Sequence, residues 1–250
     1  MPRPIAYGPS PAQVGDLWLP DDARRPPAVV AIWHGGGYVP EVDRTMMEGV
    51  ARDLCARGWA AWNLEYRRVG SGGGWPQTFA DAADGLDRLA DLDGEVDVRN
   101  VVALGFSAGA PLALWAAGRG DAAIRPRAAV SQAGLSDLEA VAHGAIESCE
   151  LLRALLGDPD EHPQPYALAN PVANLPLGIP QLHVHGDADQ NVPLELSRRY
   201  VERARAAGDA AELVVVPGAT HFDHNDPVSR AWAAVVDWLE RLRPALPRAT

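Results

Sequence analysis

Residues 101–118 read VVALGFSAGAPLALWAAG, and the fold is decided here. Val101–Phe106 is a continuous apolar run of the length and kind found in strands buried on both faces. An alanine- and leucine-rich helix is expected from about Ala108 to Ala117, stopped by Gly118. Between them, Gly105-Phe106-Ser107-Ala108-Gly109 fits the G-x-S-x-G pattern in the strand–turn–helix setting that pattern needs. A serine on so sharp a bend holds strained backbone angles, so the residues beside it must be small. The following helix N-terminus favours negative charge developing at that serine. Pro111 falls in the first helical turn, where no backbone donor is required. Ser107 is therefore the candidate nucleophile, against the simpler reading of a serine that only caps a helix.

Outward from this unit, apolar runs of strand length alternate with helical patterns, which predicts an α/β protein with a mostly parallel sheet covered on both faces. Strands are expected at Ile5–Gly8, Gln13–Leu19, Ala28–Trp33, Trp59–Tyr66, Arg127–Gln132, Gln181–His185 and Glu212–Val216. Helices are expected over Asp43–Arg57, Gln77–Ala90, Leu194–Ala207 and Pro227–Leu242. Residues 136–177 break the rhythm with prolines and polar residues and read as a small cap inserted into one domain spanning 1–250.

A serine hydroxyl needs a base to become nucleophilic, and the base needs a carboxylate to orient it. After Ser107, the sequence His185-Gly186-Asp187-Ala188-Asp189 follows a strand, and Asp189 is the preferred acid. Asp187, nearer the strand, suits a turn cap, and Asp137 is a third candidate. After the last strand comes Pro217-Gly218-Ala219-Thr220-His221-Phe222-Asp223-His224, with His221 preferred over His224 as base. His143 and His162 lie in the insertion, and His183 sits within a strand and reads as packed. Upstream, His34-Gly35-Gly36-Gly37-Tyr38 ends a buried strand, so Gly36 and Gly37 can turn their N–H groups toward a small anion. With the N–H of Ala108 they form the candidate oxyanion hole, His34 acting as a structural support for the loop. Tyr38, Trp75 and the stretch around Ala140–Leu156 are the expected pocket walls, with Arg153 a candidate partner for a substrate carboxylate.

Composition narrows the partners. The formal net charge is −11 and the chain contains no lysine, which argues against binding nucleic acid or an anionic membrane surface. No apolar run is long enough to span a bilayer, and the N-terminus lacks a signal-peptide pattern. Two cysteines make no disulfide framework and no CxxC metal spacing, which suits a reducing, cytoplasmic setting. No metal or organic cofactor is expected, and a homodimer is compatible with the sequence.

The quoted motifs resemble the α/β-hydrolase superfamily over nearly the whole chain. HGGGY, Leu64-Glu65-Tyr66-Arg67-Arg68 and GGGWPQT are similar to small intracellular esterases related to hormone-sensitive lipase and to kynurenine formamidase. The resemblance also implies that Asp189, the second aspartate of HGDxD, and His221 of GATHF complete a triad with Ser107. The elbow departs from that pattern in reading GFSAG where the lipase relatives have GDSAG, and Tyr38 stands where formamidases carry tryptophan. The implied activity is hydrolysis of carboxylic esters with small or aromatic acyl groups through an acyl-enzyme. Alternatives are an arylformamidase or amidase, a peptidase of the prolyl-oligopeptidase kind without a counterpart to its propeller, and a non-hydrolytic acyltransferase, cyclase or ligand-binding relative.

Overall fold

The computed structural model describes residues 1–21, 25–147 and 149–243. Eight strands, β1 (Arg3–Ala6), β2 (Val14–Trp18), β3 (Ala28–Trp33), β4 (Ala60–Leu64), β5 (Asp97–Phe106), β6 (Ala128–Gln132), β7 (Gln181–Gly186) and β8 (Ala211–Val216), form one sheet in the order β1-β2-β4-β3-β5-β6-β7-β8. The pairs β1–β2 and β2–β4 are antiparallel and all others are parallel. Helices α1 (Glu48–Ala56), α2 (Gln77–Asp87), α3 (Gly109–Gly118), α4 (Leu138–Ala140), α5 (Cys149–Leu156), α6 (Pro163–Ala169), α7 (Leu194–Ala206) and α8 (Arg230–Leu242) are distributed over its two faces.

The central strands are apolar throughout because both of their faces are covered. In β3, Val29, Ala31 and Trp33 enter one core cluster with Phe79 and Leu86 of α2 and Leu112 of α3. The alternating Val30 and Ile32 enter the opposite cluster with Val50 and Leu54 of α1 and Trp232 and Val235 of α8. The stretch between β6 and β7 holds α4, α5 and α6, and its Leu152, Leu155 and Tyr166 join the cluster of α2 and α3.

The expected elements are present with shifted ends. Helix 43–57 splits into a 3-10 turn, Arg44–Met47, capped by Asp43, and then α1. β5 starts earlier than Val101, at Asp97, since pairing with β3 extends it beyond the apolar run. The last helix begins at Arg230, three residues after Pro227, where the Ser229 side chain accepts from the Trp232 N–H.

Chain order and spatial order diverge on the two sides of β3 and β5: β4 lies outside β3, and β6 outside β5. At such a switch point the loops leaving the carboxyl ends separate and open a crevice. The β3 and β5 loops carry HGGGY and Ser107, so both candidate elements meet at that crevice.

Close approach of α3 to the strands sets the glycines around Ser107. A Cβ on Gly109 would lie 2.2 Å from the Trp33 carbonyl oxygen and 2.4 Å from that of His34. Backbone atoms cannot swing aside as a flexible side chain can. Gly109→Ala should destabilise the protein by about 2–3 kcal/mol, whereas Gly120→Ala, which meets nothing within 4 Å, should stay within about 0.5 kcal/mol. Urea midpoints of the two variants measure this, and equal midpoints would refute the packing argument.

Candidate active site

Ser107 follows β5 with φ of +52°, a left-handed conformation that costs a non-glycine residue about 1–2 kcal/mol. The bend is held by its own backbone: the Ser107 N–H donates to Gln132 O at 2.8 Å, and its carbonyl accepts from Ala110 N–H at 3.1 Å. The strain turns the hydroxyl out of the sheet, toward the loops after β7 and β8.

Those loops supply the partners. The Ser107 hydroxyl lies 2.9 Å from His221 Nε2, and His221 Nδ1 lies 2.8 Å from Asp189 Oδ2. With the Nδ1 proton donated to the carboxylate, Nε2 is left as an acceptor for the serine proton. His221 begins a short 3-10 turn, His221–Asn225, closed at its N-terminus by a Thr220–Asp223 capping box. Asp189 is a buried side chain whose Oδ1 accepts from the N–H groups of Asn191 at 2.8 Å and Val192 at 2.9 Å. His185 approaches Oδ2 at 3.4 Å; its Nε2–H donates to Val192 O at 2.9 Å, while Nδ1 accepts from the Ser197 hydroxyl at 2.8 Å. Burial alone would raise the Asp189 carboxyl, but the hydrogen bonds from His185, His221 and Val192 hold it far below the usual carboxylate range. It is the ionised form that faces His221.

The remaining acid and base candidates are elsewhere. Asp187 accepts from Gly218 N–H at 2.6 Å and so ties the β7 loop to the β8 loop. Asp137 caps α4 and accepts from Asn170. His224 is fully buried beside Phe106, with ring centroids 6.2 Å apart, and neither ring nitrogen has a partner among the described residues. His143 is exposed and bonded to Glu139 O, His162 is exposed beside Gly157, and His183 packs on Tyr200.

At the β3 loop, Gly36 (φ +99°), Gly37 (φ +60°) and Tyr38 (φ +66°) make three successive left-handed residues. His34 Nδ1–H donates to Gly35 O at 2.8 Å, and the Tyr66 hydroxyl donates to His34 O at 2.7 Å. Pinning the Gly35 carbonyl also sets the direction of the Gly36 N–H across the same peptide plane. Beneath the loop, Glu65 accepts from Arg68, Arg44 N–H and Tyr66 N–H. None of the N–H groups of Gly36, Gly37 and Ala108 donates to a protein acceptor among the described residues.

Ser107, His221, Gly36 and Gly37 open onto a cavity of about 400 Å³. Its apolar wall includes Val42, Met46, Leu135, Ile146, Val192 and Phe222. Two expected walls are corrected. Tyr38 is 1% exposed and packs edge-on against Tyr66, because the left-handed turn before it doubles the chain back into the core. Trp75 packs against Phe79 and lines a separate groove beside Leu155 and His162. Arg153 does not line the cavity either; its Nε donates to Ala142 O at 2.8 Å. The sequence reading passed over Met46 and Phe222, although an aromatic immediately after the candidate base is a usable signal. Among the described residues, no cluster of three His, Cys, Asp or Glu side chains could hold a metal ion, and no helix is long and apolar enough to cross a membrane.

Three histidines predict the acid limit of stability. Burial lowers His34, His183 and His224 to about 3 from about 6.5 in an unfolded chain. Below about pH 6.5 the unfolded chain therefore takes up protons that the folded chain refuses, and stability falls, each group contributing at most about 1.4 kcal/mol per pH unit. Their contribution is complete above that pH and lost as the pH falls toward 3. Asp189 adds a further loss below about pH 4, where its unfolded form protonates first. Thermal melts should decline steeply between about pH 6 and pH 4; a constant Tm over that interval would contradict the burial argument.

The sheet order, the elbow after β5 and the loops after β7 and β8 define the α/β-hydrolase fold, with a serine, a histidine and an aspartate hydrogen-bonded in series at its crevice. The chain belongs to the prolyl oligopeptidase family, whose model matches residues 56–243. It is 28% identical to esterase LipC of Mycobacterium tuberculosis over 96% of its own length, and spans 66% of that protein. Among solved structures, esterase 2 of Thermogutta terrifontis phosphonylated by sarin superimposes with a TM-score of 0.80 at 20% identity, covering 100% of this chain and 97% of that one. A truncated carbohydrate esterase from gut microbiota gives a TM-score of 0.81 at 20% identity, covering 95% and 94%.

Proposed function

We propose that the protein is a serine hydrolase that cleaves carboxylic esters of small or aromatic acyl groups through an acyl-enzyme. The observation that carries this reading is the hydrogen-bonded series Ser107–His221–Asp189 at the mouth of a mainly apolar cavity. The similarity to LipC, an esterase by name, supports it.

His221 takes the Ser107 proton as the oxygen attacks the ester carbonyl, and Asp189 stabilises the imidazolium that forms. The new oxyanion is received by the N–H groups of Gly36, Gly37 and Ala108, each such donor being worth about 3–4 kcal/mol in sites of this type. His221 then gives its proton to the departing alcohol, and a water activated by the same nitrogen releases the acid. These steps use side chains and backbone alone and call for no metal or cofactor. The substrate is a small molecule, and the free cysteines Cys55 and Cys149 suit a cytoplasmic enzyme.

The family name favours a second reading, in which the scissile bond is an amide. A panel of p-nitrophenyl butyrate, N-formylkynurenine and a prolyl p-nitroanilide peptide separates these, alongside a fluorophosphonate probe with mapping of the labelled residue. Labelling at Ser107 with turnover of the ester alone is the expected result. Labelling elsewhere rejects the mechanism, and turnover of the anilide alone rejects the ester assignment.

A further inference from the structure

The cavity beside Ser107 is distinctive for the charges it contains and lacks. Among its lining residues the one carboxylate is Glu147, and no arginine faces it; the chain has no lysine at all. Arg44 and Arg68, from the segments on either side of α1 and β4, are committed to carboxylates. Arg44 Nε binds Asp16 at 2.7 Å, and Arg68 binds Glu65. Arg153 donates to a carbonyl outside the cavity. Glu147 is exposed and forms no ion pair with a described residue. Phe222 lines the same cavity, 61% exposed, with its ring 5.5 Å edge-on from that of His221. Since His221 protonates the departing alcohol, that alcohol must lie beside its ring, and therefore within reach of Phe222. An exposed aromatic ring and a free carboxylate around one cavity are the chemistry that receives an organic cation. An anion there would meet Glu147, no compensating cation, and the field of a chain carrying net charge −11.

We propose that this pocket prefers esters whose alcohol portion is cationic over neutral ones, and neutral ones over anionic ones, with Glu147 setting the sign of that preference. The inference rests on the hydrolase reading and adds to it the charge class of the substrate. A solvent-exposed carboxylate contributes on the scale of one surface ion pair, so the preference should be about two- to fivefold and should shrink as salt is added.

The test uses three acetates of matched shape: 3-(trimethylammonio)phenyl, 3-tert-butylphenyl and 3-carboxyphenyl acetate. kcat/KM is measured for the parent, Glu147→Gln and Glu147→Arg. Each charged ester is normalised to the neutral one in the same protein, and comparison between proteins cancels the different reactivities of the phenols. The cationic ratio should fall about two- to fivefold in Glu147→Gln and further in Glu147→Arg, while the anionic ratio rises. Ratios that stay constant across the three proteins, or that do not respond to salt in the parent, overturn the proposal. A second measurement does not need turnover. Calorimetric binding of the same three esters to Ser107→Ala protein should follow the same order, cation over neutral over anion. Failure of hydrolysis with that binding order intact counts against the esterase reading alone; loss of the order counts against the charge preference alone.

Discussion

Ser107→Ala should lower kcat for ester hydrolysis by about 10⁵- to 10⁶-fold, the scale seen when one member of a serine–histidine pair is removed from a triad. The substitution deletes one oxygen, the atom that would form the acyl bond, and leaves the rest of the crevice intact. His221 and Asp189 still pair at 2.8 Å, and the loop amides of Gly36 and Gly37 are untouched. A residual rate of about 10³-fold over water is expected from those donors and from binding. Alanine can occupy the +52° φ that serine already tolerates there, so the fold should survive. Steady-state kinetics with a p-nitrophenyl ester and a melt of the same sample measure both sides of this. A folded variant that keeps more than about one hundredth of the rate would remove Ser107 from the mechanism.

Asp189→Asn should lower kcat by about 10⁴-fold with little change in KM, and the reason can be read from the donors around the carboxylate. Its Oδ1 accepts from two backbone N–H groups, Asn191 and Val192, so the amide oxygen of asparagine must take that place. The amide NH₂ is then forced into the Oδ2 position, facing His221 Nδ1. A donor there requires His221 to place its proton on Nε2, which turns the ring's second nitrogen from acceptor to donor toward Ser107. The same NH₂ also faces the Nε2–H of His185, 3.4 Å from Oδ2 and already donated to Val192 O, so one amide hydrogen is left without an acceptor in a buried place. The serine keeps its position and loses its base. Asp187→Asn is the matched control, since its oxygen can still accept from Gly218 N–H. If Asp189→Asn costs less than about tenfold while Asp187→Asn costs more, the acid has been assigned to the wrong aspartate.

Much of the fold could be read along the chain because local signals agreed with one another. Runs such as AVVAIW and VVALGF are apolar on both faces, which only a covered parallel sheet accepts. In a parallel sheet the loops after β3, β5, β7 and β8 must leave by one edge. The meeting of Ser107, Asp189 and His221 was therefore accessible from their order and their positions after strands. The choice between neighbouring candidates was finer. Asp189 and Asp187 differ by two residues in one turn, yet one is buried among donors and the other bonds the adjacent loop in solvent.

The walls of the cavity were another matter. Tyr38 and Trp75 were expected to touch substrate because they flank motifs, and side-chain direction is not a property of flanking position. Three left-handed residues in succession send Tyr38 into the core, and Phe79 holds Trp75 on another surface. Of the expected walls only the stretch 140–156 reaches the cavity, through Ile146 and Glu147 ahead of α5; the others come from distant segments, Met46 before α1, Leu135 after β6 and Phe222 after β8. By itself, then, the sequence determined the sheet, its crossovers and the three polar side chains at its edge, since these follow from periodicity and strand-end placement. Which surface a substrate would meet, and the sign of the charge on it, was decided only when loops far apart in the chain packed against each other. That packing depends on long-range contacts, and no local pattern encodes them.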